Sequence, residues 1–448
     1  MSRLLLARLG AWLLVFAAAV LLSTFVPPLQ SPDEHSHLMR GYAISKGSWL
    51  LREDPALGSG AAVDQALLAY MHEYLSTITR SAQTPLPPQR REAAEQLRWS
   101  GAERFYPLAG TNYYMPLVYA PHAAGMLAGR SMQLTVADTY RLVRLACIAS
   151  CVLLLAAAWR VLRPPPIALA LLLLPMTLFQ LVSPTLDGVT TCLAVLALSL
   201  FFAGAAGERW TRAWSWALAA AVVLLATTRI QLLPLLAAPL YVAWARRSRR
   251  DGWLGVAGVL ATLAWLAYAL ATTVDVRVQR THGTAELLLH YAAAPLEFTR
   301  VLWASVSDPE LSRLYAHSFI GVLGWLDTWL PLPAYPALWS GLALCTLASM
   351  ASADLRAALP ARVLLGAAAA ACAVLVFLAL LLTWTPHPAR TVQGVQGRYF
   401  IVPALLAAYA LGASAQQRRA PGLVGIIVAG FAVVSLWALG TTLLARYH

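Results

Sequence analysis

The sequence predicts an all-α fold, a polytopic transmembrane bundle of about eleven to thirteen helices with a large first extracytoplasmic loop. Three observations carry this. Of the 448 residues, 59% are hydrophobic and only 12% are charged, more apolar surface than a water-soluble core can hide. Apolar runs of roughly 17–25 residues, long enough to cross a bilayer, recur along the chain. The net charge of +13 resides in arginines clustered between those runs, with Lys46 the sole lysine. That is the pattern of positive-inside anchors rather than of a nucleic-acid surface, so no nucleic-acid partner is expected.

The first run, 4–26, has an apolar stretch about twice a signal-peptide core and no small-residue cleavage site before Pro27. It reads as a retained transmembrane helix. Further spans are expected at 141–161, 166–183, 187–206, 213–227, 231–245, 253–273, 333–350, 363–384, 399–415 and 422–444. Two segments, 113–129 and 314–330, are partly apolar but carry His, Pro or Asp. They read as interfacial or re-entrant helices. The cysteines Cys147, Cys151, Cys192, Cys345 and Cys372 all lie in apolar runs and read as packing residues. With the N-terminus cytoplasmic, the inside connections carry Arg3/Arg8, Arg160/Arg163, Arg209/Arg212, "ARRSRR" (245–250), Arg356/Arg362 and Arg418/Arg419. Two long outer connections remain, 27–140 and 274–332, within one membrane domain covering 1–448.

The outer side gathers the unusual residues. "PPLQSPDEHSHLMRGYAISKG" (27–47) places Asp33, Glu34, His35, His37, Arg40 and Lys46 at the exit of the first helix. "VSPTLDG" (182–188) brings Asp187, "TTRIQ" (227–231) Arg229, "GWLDTWLP" (324–331) Asp327, and "HPARTVQGVQGRYF" (387–400) Arg398 and Tyr399. Each has a bland reading. "SPDE" resembles a first helical turn with Ser31 as N-cap or Asp33 as a cap. His35 and His37 are two apart, not at the i, i+4 spacing of paired zinc ligands. Asp187 suits an N-cap, Asp327 an interfacial anchor and Arg398 a snorkelling belt residue. Charges near lipid are costly unless paired or functional, and together the residues suggest an outer cavity. Its arginines suit a phosphate, and its carboxylates suit acid–base work or a divalent ion.

The motifs at 27–47, 182–188, 324–331 and 394–403 ("GVQGRYFIVP") appear in the order and spacing of the bacterial family catalogued as domain of unknown function 2142, which resembles the GT-C glycosyltransferases. The resemblance covers about residues 10–440. It implies an inverting enzyme of the bacterial cytoplasmic (inner) membrane, with its active site on the extracytoplasmic side. The donor would be a polyprenyl-phosphate sugar and the acceptor a cell-envelope glycan or lipid. Asp33, with Glu34 beside it, falls where that superfamily carries an acidic residue after its first helix, and Asp187 where a second is common. On this reading Asp33 is the base, and Arg398, with Arg229 as a weaker candidate, holds the phosphate. His35, His37, Asp327 and Tyr399 are candidates for substrate contact. Some members of that superfamily need a divalent cation and others do not, so the resemblance leaves the metal open; Mg2+ or Mn2+, if used, would be held by Asp33 and Asp187. The rival readings are a transporter or flippase of lipid-linked sugars and an oligosaccharide ligase. Transporters place substrate near the bilayer midplane in inverted repeats, and neither feature is visible here.

Overall fold

The computed structural model describes residues 3–79, 86–206, 210–276, 282–412 and 421–448. Arg209, Arg418 and Arg419 lie outside them, as do residues 413–415 of the span expected at 399–415. The described chain runs α1 (Arg3–Thr24), α2 (Glu34–Ser45), β1 (Arg52–Asp54), β2 (Gly58–Asp64), α3 (Gln65–Thr79), α4 (Pro88–Glu95), β3 (Glu103–Pro107) and α5 (Ala109–Asn112). It continues α6 (Ala120–Ser131), α7 (Val136–Val161), α8 (Pro166–Leu172), α9 (Pro175–Leu181), α10 (Leu186–Ala206), α11 (Arg212–Thr228), α12 (Ala237–Ala245) and α13 (Arg249–Thr272). Then come α14 (Thr284–Ala293), α15 (Pro295–Ser307), α16 (Pro309–Gly321), β4 (Val322–Leu323), β5 (Thr328–Trp329), α17 (Ala334–Ser352), α18 (Leu359–Thr383), α19 (Ile401–Gly412) and α20 (Pro421–Tyr447).

The protein is a multi-pass helical membrane protein. Among the described residues seven helices are long and apolar enough to span: α1, α7, α10, α13, α17, α18 and α20. Three expected spans are shorter apolar helices: 212–228, 230–245 and 397–412. Pro234 sits inside the 3-10 turn Ile230–Leu236 that opens the second of these, and a ring without an N–H cannot continue an α-helical ladder. The run at 166–183 breaks into α8 and α9, because Pro175 starts a new helix rather than continuing the old one. Neither doubtful segment forms a spanning helix. Residues 116–131 are a 3-10 turn followed by the twelve-residue α6, and 314–330 is the end of α16 plus the β4–β5 hairpin.

The bundle is organised around α10. It is apolar on every face, and 83% of its most apolar stretch is buried, against 6% for α1. A helix that is hydrophobic all round belongs at a centre, and α10 packs on α7, α9, α11, α12 and α19. Gly188 lets α9 come close: a Cβ there would meet the Gln180 carbonyl oxygen at 2.7 Å. With little hydrophobic drive between helices in lipid, such close backbone contact is what holds them together.

The connection 27–140 is a small folded layer. Strands β1, β2 and β3 form an antiparallel sheet. Its core joins Leu38 and Tyr42 of α2 to Val63, Leu67, Tyr70 and Val143. The Asp64 carboxylate accepts from the Ala66 and Gly101 amides and the Ser100 hydroxyl, each at 2.8 Å, tying the strand end to the segment at 99–102.

The two ends of the bundle differ in charge. Arg246 donates to the Gly204 carbonyl and Arg362 to the Ala410 carbonyl, so the basic connections gather at the C-terminal ends of α10 and α19. Asp187 and Arg398 lie at the opposite ends of those helices. Chain termini also separate. At the end of α20, Arg446 pairs with Asp327 at 3.3 Å and His448 meets the Phe25 carbonyl just past α1. That contact puts the C-terminus at the Asp33 end and the N-terminus at the basic end.

Candidate functional site

The segment leaving α1 is clamped from below. Arg144 of α7 donates to the carbonyls of Ser23, Val26 and Pro27 at 2.9, 2.8 and 3.3 Å, satisfying one carbonyl in the last turn of α1 and two just beyond it. It also donates to the Tyr140 hydroxyl, which in turn donates to Glu34. The Glu34 carboxylate accepts the Leu29 and Ser31 amides at 3.0 and 3.1 Å. Burial pushes its carboxyl above the usual range, although Arg144 and these donors pull the other way. Glu34 is wholly buried, and the structure separates it from the open site. Its place is in an anchor.

Clamping 29–34 fixes Asp33 in the left-handed region, φ 64°, at the start of α2. Such a conformation is strained for a non-glycine residue, and strain of this kind gathers at functional sites. The capping readings do not hold. Asp33 makes no side-chain cap bond, and the Ser31 hydroxyl donates to Gln180 instead. Turned outward, the Asp33 side chain is 58% exposed and meets Arg398 at 2.9 Å.

Arg398 is the hub. Its side chain is 3% exposed, with Nη2 on Asp33 and Nη1 3.4 Å from Asp187. Gly397 makes this placement possible, because a Cβ there would collide with the backbone of Tyr315 and Phe319 on α16. Among the described residues neither Nε nor Nη1 of Arg398 finds a hydrogen-bond partner, so its contact with Asp187 is an ion pair only. Asp187, in the first turn of α10, is therefore ion-paired rather than an N-cap. Its second oxygen takes Arg229, which also reaches the Tyr114 hydroxyl at 3.5 Å. The Tyr399 ring lies beside both guanidinium groups, 5.3 Å from Arg398 and 5.9 Å from Arg229.

His37 stands beside this set with its Nδ1 3.0 Å from the Tyr119 hydroxyl and its ring tilted against Tyr114 and Tyr119. Burial pushes the imidazole down to about 3, with Asp33 opposing, so it is neutral at ordinary pH. Asp33 itself is held below the usual carboxylate range. The crowding around it raises the value, but the Arg398 charge beside it pulls the carboxyl down.

Below the charges lies a cavity of about 30 Å³ lined by Asp187, Arg229, Arg398, Tyr399, Gln180 and Thr177. It has room for roughly one or two water molecules. Between α15 and α18 runs an apolar groove of about 270 Å³, with Leu302, Trp303, Val374 and Phe377 on its walls. Phe377 lies 5.7 Å from Phe400, two residues past Arg398.

The structure thus brings Asp33, Asp187, Arg229, Arg398, Tyr399 and His37 together. His35 is at the edge, stacked on Trp325 at 5.5 Å. Asp327 is not in the group. Its carboxylate closes the β4–β5 turn through the Trp325 amide and Thr328, and pairs with Arg446. Arg40 and Lys46 bind elsewhere, to the Ser48 and Trp49 carbonyls and to Glu103. Four supporting residues escaped the reading of the sequence: Tyr114, Tyr119, Gln180 and His122, whose Nε2 lies 3.0 Å from the Pro184 carbonyl oxygen. The signals were faint, a tyrosine–proline–histidine-rich stretch over 113–122 and one glutamine in the apolar run before "VSPTLDG".

These features define a polytopic membrane protein with two carboxylates and two arginines interlocked at one end of its bundle. The chain belongs to the family described as "Predicted membrane protein (DUF2142)", which matches residues 13–439. No curated protein matches it. Among solved structures, ArnT from Cupriavidus metallidurans in the apo state is similar at 17% identity and a TM-score of 0.35, over 98% of this chain and 78% of that one.

Proposed function

We propose that the protein is an inverting glycosyltransferase of the bacterial cytoplasmic membrane. It would take sugar from a polyprenyl-phosphate carrier on the extracytoplasmic side and pass it to a cell-envelope glycan or lipid. The observation that supports this most is Arg398, a buried guanidinium held between the exposed Asp33 and the buried Asp187. The charge asymmetry between the bundle ends favours the orientation, with the basic end cytoplasmic.

In this mechanism the donor phosphate enters toward Arg398 and Arg229. The cavity is too small for it as it stands, so its entry parts the Asp33–Arg398 pair. The phosphate takes the guanidinium, and Asp33 is released as a base. The acceptor hydroxyl gives its proton to Asp33 while its oxygen attacks the anomeric carbon from the face opposite the carrier. The bond from that carbon to the phosphate oxygen breaks, and the electron pair leaves with the lipid phosphate. Arg398 and Arg229 hold the growing negative charge. The proton on Asp33 then passes to solvent. The apolar groove between α15 and α18 suits the prenyl chain, since its wall residue Phe377 packs on Phe400, two residues past Arg398.

The test is a purified-protein assay against a panel of polyprenyl-phosphate sugars, with the anomeric configuration of product compared to donor. Movement of intact lipid-linked sugar across vesicles without transfer would favour the flippase reading, and transfer of whole oligosaccharides the ligase reading.

A further inference from the structure

We propose that Arg398 stands where a divalent cation bridging Asp33 and Asp187 would have to stand, so that the site works without such a metal. This rests on the transfer reading above and adds to it what neutralises the leaving phosphate.

Both carboxylates meet one guanidinium: Arg398 contacts Oδ2 of Asp33 through Nη2 and Oδ2 of Asp187 through Nη1, at 2.9 and 3.4 Å. The other oxygen of Asp187 is taken by Arg229. Two carboxylates therefore face two permanent cations, and no negative charge is left over to recruit a third. A hard divalent cation needs six or more oxygen ligands with uncompensated charge among them. Here it would approach two positive groups. It would also have to expel Arg398, whose side chain is 3% exposed, and strand a buried charge without its partners, which is strongly unfavourable. The neighbours offer no substitute ligand set. Among the described residues no three His, Cys, Asp or Glu side chains converge on one point. The nearest imidazole, His37, is engaged with Tyr119. So the residues present do not fit the cation that the family resemblance left open. They fit a fixed guanidinium, which never deprotonates and cannot be chelated away.

The experiment is a Mn2+ titration of the full-length protein in detergent, followed by loss of the free-ion electron paramagnetic resonance signal. The unaltered protein should take up no stoichiometric Mn2+ below about 1 mM, the weak end of carboxylate sites. Arg398→Met vacates the position between the carboxylates and should gain one site, tighter by about 10-fold or more. Adding Asp33→Asn or Asp187→Asn to that variant should abolish the gain. One Mn2+ per chain bound by the unaltered protein at micromolar concentration, and lost in Asp33→Asn, would overturn the proposal. So would a folded Arg398→Met that gains nothing. Should that variant not fold, the titration of the unaltered protein decides by itself. A chain that follows this Mn2+ pattern yet transfers no sugar would sink the transfer reading and leave the inference about the metal standing.

Discussion

Asp33 and Arg398 make opposite demands on a mutational test. The Asp33 side chain is exposed and makes no capping bond to its own helix. Asparagine also tolerates the left-handed region better than most residues. Asp33→Asn keeps an oxygen that can accept from Arg398 but removes the paired charge, so it should cost about 1–3 kcal/mol of stability while transfer falls by about 100–10,000-fold, the usual worth of a general base. Near-normal turnover in that variant would remove Asp33 from the chemistry. Arg398→Ala should weaken donor-lipid binding by about 1.5–3 kcal/mol, as for a lost hydrogen bond to a charged group, with acceptor affinity spared. Arg398→Lys keeps the charge but cannot reach both carboxylates with one planar fork, so it should not be silent. Unaltered donor affinity in both would leave Arg229 as the phosphate ligand. The candidate residues were legible in the sequence because charge stands out in an apolar chain. Their division of labour was not. Asp33 and Glu34 look alike as neighbours, and only the left-handed turn sends one outward to Arg398 and the other inward to Tyr140.

At the scale of elements, α7 acts as the brace that sets the turn between α1 and α2. Tyr140→Phe removes the hydroxyl joining Arg144 to Glu34 and should cost about 1–3 kcal/mol, because it strips a buried charge of a donor. Activity should fall in step with thermal stability, whereas Asp33→Asn should lose far more activity than its loss of stability explains. Loss of one without the other would break the link between brace and site. The packing of α2 and α6 carries a pH signature. His37 and His122 are pushed by burial down to about 3 and about 4, from an ordinary value near 6.5. Between those values the unfolded chain binds protons that the folded one does not, so stability falls as pH drops from about 6.5 toward 4, by up to roughly 1.4 kcal/mol per pH unit for each group. A melting-temperature series in detergent should show that slope, and His37→Gln with His122→Asn should flatten it. A slope unchanged in the double variant would place the acid sensitivity elsewhere. Helix existence was readable from apolar length, and α10, α18 and α20 stand close to where the sequence put them. The breaks at Pro175 and Pro234 were not, because prolines are also tolerated inside membrane helices, and the support from 113–131 was not, because it depends on what α6 packs against.

Over the whole molecule, the basic end and the site end should lie on opposite sides of the membrane. With the five native cysteines replaced, single cysteines near Lys46 and Gln393 should react with an impermeant reagent from outside, and one at Ser248 should not. Labelling of Ser248 from outside would invert the topology and the proposed active face with it. Asp33 and Arg398, the two halves of the central ion pair, are separated by 365 residues. A ribosome adding about 5–20 residues per second makes the second some 20–70 s after the first. Through that interval Asp33 lacks Arg398, its ion-pair partner, so on the proposed reading a chain truncated before Arg398 should transfer nothing. On that reading transfer begins only when almost the last helix has been threaded, which would make the reaction itself a report that insertion is finished.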